Sequence, residues 1–294
     1  MQDPKPGVRA RRRLLSPGVN TGALRRILVN YNTQLEREVP MDELISLDAH
    51  AHFDPNRSPA ELADAGAVLA MTLSLDEAAR VVDRSEPNIA WGVGCHPRKL
   101  KAQQGFNPER FETLAQHSAI IGEIGLDVVY NVPLQLQLQT FRQALSFAAK
   151  NPRIVSIHSF RTTGLVLEEL RRTRVIAPIL HWWTGNVAET RQAVELGCYF
   201  SVHSAVARQS KFRTAVPLER ILVESDHGWA DPPGAIPHRV AWVEYLLSAL
   251  LKMEVGEVRR LAWRNFGEVV RLTGTGELLP AGLREEISTT DKHG

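Results

Sequence analysis

The sequence predicts one large α/β domain, a (β/α)8 barrel of the TIM type, on three observations. The chain has 294 residues, 44% of them hydrophobic and 23% charged, as in a globular protein with a sizeable core. From residue 44 onward, short apolar runs alternate with amphipathic stretches, as where helices connect parallel strands. Eight such runs occur, which is the strand number of this barrel.

Each apolar run has the length of one buried strand and is followed by polar or turn-forming residues. In chain order the runs are residues 44–50, 67–73, 89–96, 119–127, 153–159, 175–182, 199–203 and 221–226.

The segments between the runs contain amphipathic helix candidates, and Gly197 follows one of them, as a helix C-cap would. Two further helices are expected after the last strand, on the outside of the barrel. The candidates are residues 59–66, 107–117, 133–150 and 186–197, and then 240–252 and 255–272.

The first 40 residues are distinct in charge. They carry eight basic and three acidic residues, a net charge of +5, whereas the rest of the chain has a net charge of −3. Such a segment can bind nucleic-acid phosphates by releasing counterions, or it can be a solvated, poorly ordered extension or upstream sequence translated ahead of a start at Met41. We expect a basic extension at residues 1–40, the barrel at 41–272 and a C-terminal tail at 273–294.

Cysteine content and hydropathy predict the compartment. The chain has two cysteines, Cys95 and Cys198, too few for a disulfide framework. No apolar run approaches the roughly 18 residues of a membrane span, and no signal-peptide-like apolar stretch follows the basic start. We expect a cytoplasmic protein that does not bind a membrane.

Histidines and acids close most of the predicted strands. Seven of the ten histidines lie at or beside these ends. Because the carboxyl ends of the strands in such a barrel surround one mouth, we expect these side chains to converge there. They are His50, His52, His96, Glu123, Asp127, His158, His181, His203, Asp226 and His227.

Imidazole and carboxylate ligands together favour zinc, manganese, nickel or iron, whereas magnesium and calcium prefer oxygen ligands. In an extended chain, His50 and His52 point to the same side and can hold one ion. The Glu123 carboxylate can bridge this ion to a second one held by His158 and His181. The sequence therefore predicts two divalent metal ions.

Asp226 closes the last strand and is expected to be both a metal ligand and the general base that orients a water. With Glu123 it forms the predicted catalytic pair for metal-assisted hydrolysis. The sequence contains no Gly-x-Ser-x-Gly, no Walker phosphate-binding loop and no Gly-x-Gly-x-x-Gly after a strand. Serine acyl transfer and dinucleotide chemistry therefore have no support.

Several spaced motifs between residues 44 and 272 carry a family resemblance. They are DAHAH with Asp54, GCHP (94–97), GEIGLD (122–127), Gln137 with Phe141, IHS (157–159), HWWTG (181–185), ESD (224–226) and Asn265. In this order they resemble the TatD-type metal-dependent deoxyribonucleases, which have amidohydrolase-like barrels.

The resemblance implies hydrolysis of DNA, often from a 3′ end, with magnesium or another divalent ion. Zinc and manganese remain alternatives from the ligand chemistry. The implied metal positions are His50, His52, Glu123, His158, His181 and Asp226.

Three positions beside the motifs are further candidates for substrate contact. His96 is expected to contact phosphate or to lie behind the metal ligands. Arg161 is expected to bind phosphate, although it stands one position later than the arginine typical of the family. Trp183 is a candidate for stacking on a base, or alternatively for packing in the core.

The last strand also departs from the family pattern. Ser225 stands where threonine is usual, and His227 and Gly228 replace the usual small residue and proline. This departure leaves undecided how the adjoining loop is formed and whether it contacts phosphate as in the family.

Two other functions fit parts of the pattern. A barrel of this kind can hydrolyse an amide, lactone or phosphotriester, but many such enzymes bridge their metals with a carboxylated lysine, and residues 119–127 contain no lysine. A non-catalytic component of a nucleic-acid-processing or defence assembly would use the basic extension. The six intact ligand positions favour the nuclease.

Overall fold

A computed structural model of the protein describes residues 44–229 and 239–292. The predicted basic extension at residues 1–40 lies outside the described residues. Within the described ranges, no helix has the length and hydropathy needed to cross a membrane.

Eight parallel strands pair in chain order, from the first to the eighth. Each lies within one of the eight predicted runs or extends beyond it by one residue, which confirms the (β/α)8 barrel. Each strand is shorter than its run, because residues at one or both ends of the run belong to loops. The strands are β1 (Leu47–Ala51), β2 (Ala67–Ala70), β3 (Ile89–Val93), β4 (Ile120–Gly125), β5 (Ile154–His158), β6 (Ile179–His181), β7 (Tyr199–Val202) and β8 (Ile221–Val223).

Strands β1 and β8 meet at their carboxyl ends and nearly close the barrel. The backbone N–H of Asp226 donates to the carbonyl of His50 at 3.0 Å, and that of His52 donates to the carbonyl of His227 at 2.7 Å. These hydrogen bonds therefore hold the predicted metal ligands His50 and His52 close to Asp226, the predicted ligand after the last strand.

The helices described by the structure surround the sheet. Those predicted at 107–117, 133–150, 186–197, 240–252 and 255–272 are present with small shifts at their ends, and Gly197 has the expected positive φ of 79°. The helices are α1 (Leu75–Val81), α2 (Leu100–Gln104), α3 (Pro108–Gln116), α4 (Leu134–Lys150), α5 (Thr163–Thr173), α6 (Val187–Glu195), α7 (Lys211–Thr214), α8 (Arg239–Leu251), α9 (Val255–Thr273) and α10 (Ala281–Lys292).

The prediction of a helix at residues 59–66 is wrong. Only the 3-10 turn Pro59–Leu62 forms there, although Ser58 and Glu61 make a reciprocal capping box at its start. Leu62 is the one buried residue of that turn. Without an apolar face to bury, the segment gains too little from packing to continue as a helix.

Helix α9 packs on one part of the core and holds the beginnings of two strands. The indole N–H of Trp263 donates to the carbonyl of Ile45 at 2.7 Å, and the Asn265 amide donates to the carbonyls of Leu218 and Ile221. Leu283 of α10 is buried in the same apolar cluster as Trp263. Residues 273–292 thus include a helix that packs on the barrel domain.

Candidate active site

The six predicted metal ligands converge at the carboxyl ends of the strands. Each side chain is buried, and a pocket of about 310 Å³ opens above them. Four belong to strands: His50 to β1, Glu123 to β4, His158 to β5 and His181 to β6. His52 and Asp226 follow β1 and β8 and are held by the hydrogen bonds that join these strands.

One oxygen of Glu123 faces the histidines of the first strand. Its Oε2 atom lies 3.4 Å from Nε2 of His50 and 3.1 Å from Nε2 of His52. The two Nε2 atoms are 3.2 Å apart. This arrangement can hold one cation between two imidazoles and a carboxylate, as the motif predicts.

The other oxygen of Glu123 faces the histidines of β5 and β6. Its Oε1 atom lies 2.6 Å from Nδ1 of His158 and 3.8 Å from Nε2 of His181. The two oxygens of one carboxylate therefore point toward different imidazoles. This arrangement is compatible with the binding of divalent metal.

Asp226 completes the cluster with a strained backbone. Its φ is +50°, and its Oδ1 atom lies 3.6 Å from Nε2 of His52 and 3.9 Å from Nε2 of His50. Left-handed backbone at a residue other than glycine costs free energy and is concentrated at functional sites. The strain here turns the carboxylate toward the imidazoles.

Three buried carboxylate oxygens in this cluster accept no hydrogen bond from a described residue. They are Oε2 of Glu123, Oε1 of Glu224 and Oδ1 of Asp226. Buried carboxylates are normally paired or bound to metal because removing them from water costs several kcal/mol. The unpartnered oxygens of Glu123 and Asp226 face imidazole nitrogens and therefore fit the binding of divalent cations.

Residues behind the cluster orient its imidazoles. Nδ1 of His52 donates to the carbonyl of Met71 at 3.0 Å, because a carbonyl can only accept. Nδ1 of His181 lies 2.9 Å from Oε2 of Glu224, which also accepts from the Ser201 hydroxyl. Both contacts leave Nε2 to face the cluster. The sequence prediction omitted Glu224, although an acid two residues before Asp226 in an apolar run signals the same face of the strand.

The charges of the cluster depend on burial and on neighbouring groups. Burial would raise the pKa of Glu123, but the imidazoles of His96 and His158 hold it well below its usual range. Burial would lower the pKa of His158, but the carboxylates of Glu123 and Asp127 raise it to about 9. Burial raises the pKa of Asp226 to about 7. Without a cation, protons thus compensate part of the buried negative charge.

His96 lies at the cluster, with its Nε2 atom 3.2 Å from Oε2 of Glu123. Its ring stacks on Trp229, with the centroids 4.3 Å apart. Both rings line the pocket. His96 therefore lies at the pocket, and its contact with a substrate stays a prediction.

Two other predicted substrate residues do not line the pocket. Trp183 is completely buried and donates its indole N–H to Thr190 at 2.8 Å, so its alternative role in the core is the one the structure supports. Trp182 lines the pocket instead, because its φ of +42° ends the strand alternation after His181. Arg161 is exposed, with its guanidinium 5.7 Å from the Phe160 ring.

A different arginine, Arg98, lines the pocket and was not predicted. Its Nε atom donates to Oδ2 of Asp127 at 2.6 Å. The same oxygen lies 2.8 Å from Nε2 of His158. In the sequence, Arg98 stands two residues after His96 of the GCHP motif, and this proximity was the signal available for predicting it.

The departures from the family pattern after β8 are compatible with the barrel. Ser225 donates its hydroxyl to the buried Asp48 carboxylate, and its backbone N–H donates to the same side chain at 2.9 Å. Gly228 has a φ of +85°, and a Cβ atom there would overlap the carbonyl oxygen of His52. Serine and glycine at these positions thus help to join the first and last strands.

Comparison with known proteins supports this description. Residues 47–271 match the family model described as TatD related DNase. The chain is 26% identical over 159 residues to the deoxyribonuclease Tat-D of Schizosaccharomyces pombe, a match that spans 47% of this chain and about half (51%) of that relative. It is 24% identical over 199 residues to the 3′-5′ ssDNA/RNA exonuclease TatD of Klebsiella pneumoniae, which spans 62% of this chain and 76% of that relative.

Solved structures show the same fold. The TatD homologue YJJV from Escherichia coli superposes with a TM-score of 0.66 at 23% identity, covering 76% of this chain and 97% of that one. A TatD family hydrolase from Entamoeba histolytica superposes with a TM-score of 0.62 at 14% identity, covering 77% and 98%.

Proposed function

Because the chain belongs to the TatD related DNase family, we propose that it hydrolyses phosphodiester bonds as a divalent-metal-dependent deoxyribonuclease that removes nucleotides from a DNA end. The single observation that supports metal dependence is the orientation of Glu123, whose two oxygens face separate sets of imidazoles.

The residues present fit divalent metal binding, and we assign two ions to them. His50, His52 and Glu123 would hold one, and His158, His181 and Glu123 the other, with Asp226 beside the first. Bound there, the ions would lower the pKa of a water molecule and offset the negative charge of the scissile phosphate. The donor set suits zinc or manganese, and magnesium remains an alternative from the family resemblance.

The chain's own groups would orient the reaction. Oδ1 of Asp226 has no hydrogen-bond donor among the described residues, so it is free to accept a proton from the attacking water. Glu224 and Met71 fix the rings of His181 and His52 so that their Nε2 atoms face the reacting centre. The buried floor of the pocket limits bulk water around the phosphate.

The shape of the pocket supports action at a strand end. Its volume of about 310 Å³ is at the lower end of the range for small-ligand sites, and the proposed ligands lie on its buried floor. An unpaired terminal nucleotide can enter such a pocket, whereas the interior of a duplex is too wide. The Klebsiella relative, a 3′-5′ ssDNA/RNA exonuclease, agrees with this substrate.

The test is digestion of single-stranded DNA labelled at its 3′ or its 5′ end, with a circular single strand as the substrate that has no ends. Each is incubated with magnesium, manganese, zinc or chelator. We expect loss of one labelled end with metal and none with chelator, while the circle remains intact. Cleavage of the circle would overturn the exonucleolytic mode, and equal activity in chelator would overturn metal dependence.

A further inference from the structure

We propose that Arg98 is a specificity-determining residue that binds the phosphate adjacent to the scissile one, on the side of the strand that remains after cleavage. The inference rests on the proposed nuclease function and adds the group that positions the strand. Arg98 lies outside the motifs that carry the family resemblance and directly follows GCHP (94–97).

Arg98 is fixed at one end by a buried acid. Its Nε atom donates to Oδ2 of Asp127, whose other oxygen accepts from the backbone N–H of Val129 at 2.7 Å. The Asp127 side chain is fully buried, and the Arg98 side chain is 14% exposed. A charge-assisted hydrogen bond at such a depth restricts the arginine more than a surface pair would.

Aromatic rings surround the guanidinium. Its Cζ atom lies 4.7 Å from the centroid of Tyr130, 5.4 Å from that of Trp229 and 5.5 Å from that of Phe160. Guanidinium groups stack well on aromatic faces because they are planar and weakly hydrated. The rings therefore preorganise the cation before a substrate arrives.

The outer end of Arg98 has unused donors. Nε is the one guanidinium nitrogen that donates a hydrogen bond to a described residue, so the four N–H groups of Nη1 and Nη2 remain available. Arg98 lines the same pocket as Glu123 and Asp226. A planar fork of donors of this kind matches two oxygens of a phosphate group.

The position of Arg98 selects the neighbouring phosphate rather than the scissile one. Asp127 and His158 lie between Arg98 and Glu123 in a chain of contacts of 2.6, 2.8 and 2.6 Å. Two side chains therefore separate the Nε atom of Arg98 from the carboxylate that faces the imidazoles. The next phosphate toward the pocket opening lies on the side where Arg98 is partly exposed.

The experiment compares two single-stranded oligonucleotides with the metal-loaded enzyme. One is unmodified, and the other carries a neutral methylphosphonate at the linkage next to the scissile one. Turnover, as kcat/KM, is measured for the wild type, Arg98→Met, Arg98→Lys and Arg161→Met. Binding of both strands to chelator-treated protein, measured by fluorescence anisotropy, provides a second readout, and thermal melting verifies that each variant folds.

For the wild type we expect the methylphosphonate to lower kcat/KM by about tenfold or more, the usual effect of losing a charge-assisted hydrogen bond. Arg98→Met should lose a similar factor on the unmodified strand and show no further loss with the methylphosphonate, and the two binding affinities should converge in the same way. Arg98→Lys should keep part of the penalty, because it retains a charge but not the fork. In Arg161→Met the methylphosphonate should lower kcat/KM as much as in the wild type.

The assignment would be overturned if the methylphosphonate lowered kcat/KM of Arg98→Met as much as that of the wild type. It would also be overturned if Arg161→Met were the one variant in which the methylphosphonate had no effect. If Arg98→Met does not fold, an Arg98→Lys enzyme without any reduction of the penalty would overturn it. Absence of cleavage by the wild type with every metal would instead refute the proposed function. The two failures are therefore distinguishable.

Discussion

The Nδ1 atom of His96 accepts a hydrogen bond from the backbone N–H of Arg98 at 3.0 Å. Because an amide N–H can only donate, Nδ1 carries no proton, and the single proton of the neutral ring is on Nε2. His52 has the opposite arrangement, since its Nδ1 donates to a carbonyl. Nε2 of His52 therefore offers a lone pair to a metal, whereas Nε2 of His96 offers a hydrogen.

This difference predicts that the His96→Gln variant binds as much metal as the wild type. Glutamine retains an N–H donor and removes no metal ligand, so the bound metal per chain, measured by elemental analysis after equilibrium dialysis, should match that of the wild type. Turnover should fall by about tenfold or more because the hydrogen bond to the substrate is altered. His181→Gln is the matched comparison and should lose metal. Equal losses in the two variants would make His96 a ligand.

Removing the carboxylate of Glu123 or of Asp226 should abolish hydrolysis without unfolding the protein. Glu123→Ala removes the oxygens that face both pairs of imidazoles, and Asp226→Asn removes the proposed proton acceptor. Both residues lie at the pocket rather than in the apolar core, so circular dichroism and melting should show folded proteins. Glu268→Gln, in an exposed pair with Arg271 on α9, should retain full turnover. Normal turnover by either site variant would exclude that residue from the mechanism.

The stabilisation by metal should increase between pH 5 and pH 8. Burial raises the pKa of Asp226 in the folded, metal-free protein from the usual 3.8 to about 7, so that protein is stabilised at low pH and loses this stability as the pH rises through 7. The pKa of His158 is about 9, so protonation of His158 also stabilises the metal-free protein, and this stability is lost at a higher pH. Metal binding requires both groups to be deprotonated, and protons compete with it at low pH.

The measurement is the melting temperature with and without divalent metal across that pH range. With metal at about 100 times its Kd, the increase at pH 8 should be about 5–10 °C. At pH 5 it should be much smaller. In Asp226→Asn, which has no carboxylate to deprotonate, the change with pH should be reduced. A metal effect that is constant from pH 5 to pH 8 would contradict the charge assignment.

The sequence was sufficient to predict the barrel and the convergence of its ligands. Strand-ending residues such as His50 and His158 could be placed because parallel strands in a barrel present their carboxyl ends to one mouth. The choice between Trp182 and Trp183 could not be predicted, since it depends on the left-handed backbone at Trp182.

Arg98 was missed for a different physical reason. A long flexible side chain has no position until its partners fix it, and its partner Asp127 lies 29 residues away in the sequence. The proton on His96 likewise depends on a backbone N–H whose direction follows from the turn after β3. Residue type and spacing therefore indicate ligands at strand ends more directly than they indicate groups on the loops.

Glu224 is predicted to act on metal affinity through His181. Its carboxylate lies 2.9 Å from Nδ1 of that ring and fixes its orientation. Glu224→Gln should weaken metal binding by about 10-fold to 100-fold, the usual effect of losing a partner behind a metal ligand. Competition with a chromophoric chelator measures this affinity. Glu244→Gln changes another buried glutamate, paired with Arg259, and should leave metal affinity unaltered; equal weakening in both would indicate a general structural effect.

Deletion of residues 1–40 is predicted to weaken DNA binding mainly at low salt. The segment has a net charge of +5, and each phosphate contact that it makes adds about 0.7 to the salt dependence of binding to a single strand. Affinity for a single-stranded oligonucleotide should therefore be measured in chelator across a salt series, where no cleavage occurs. A full-length variant with the basic residues of the segment replaced by glutamine separates charge from length, and it should behave like the deletion. Affinities that are unchanged at every salt concentration would show that the extension makes no contact with phosphate.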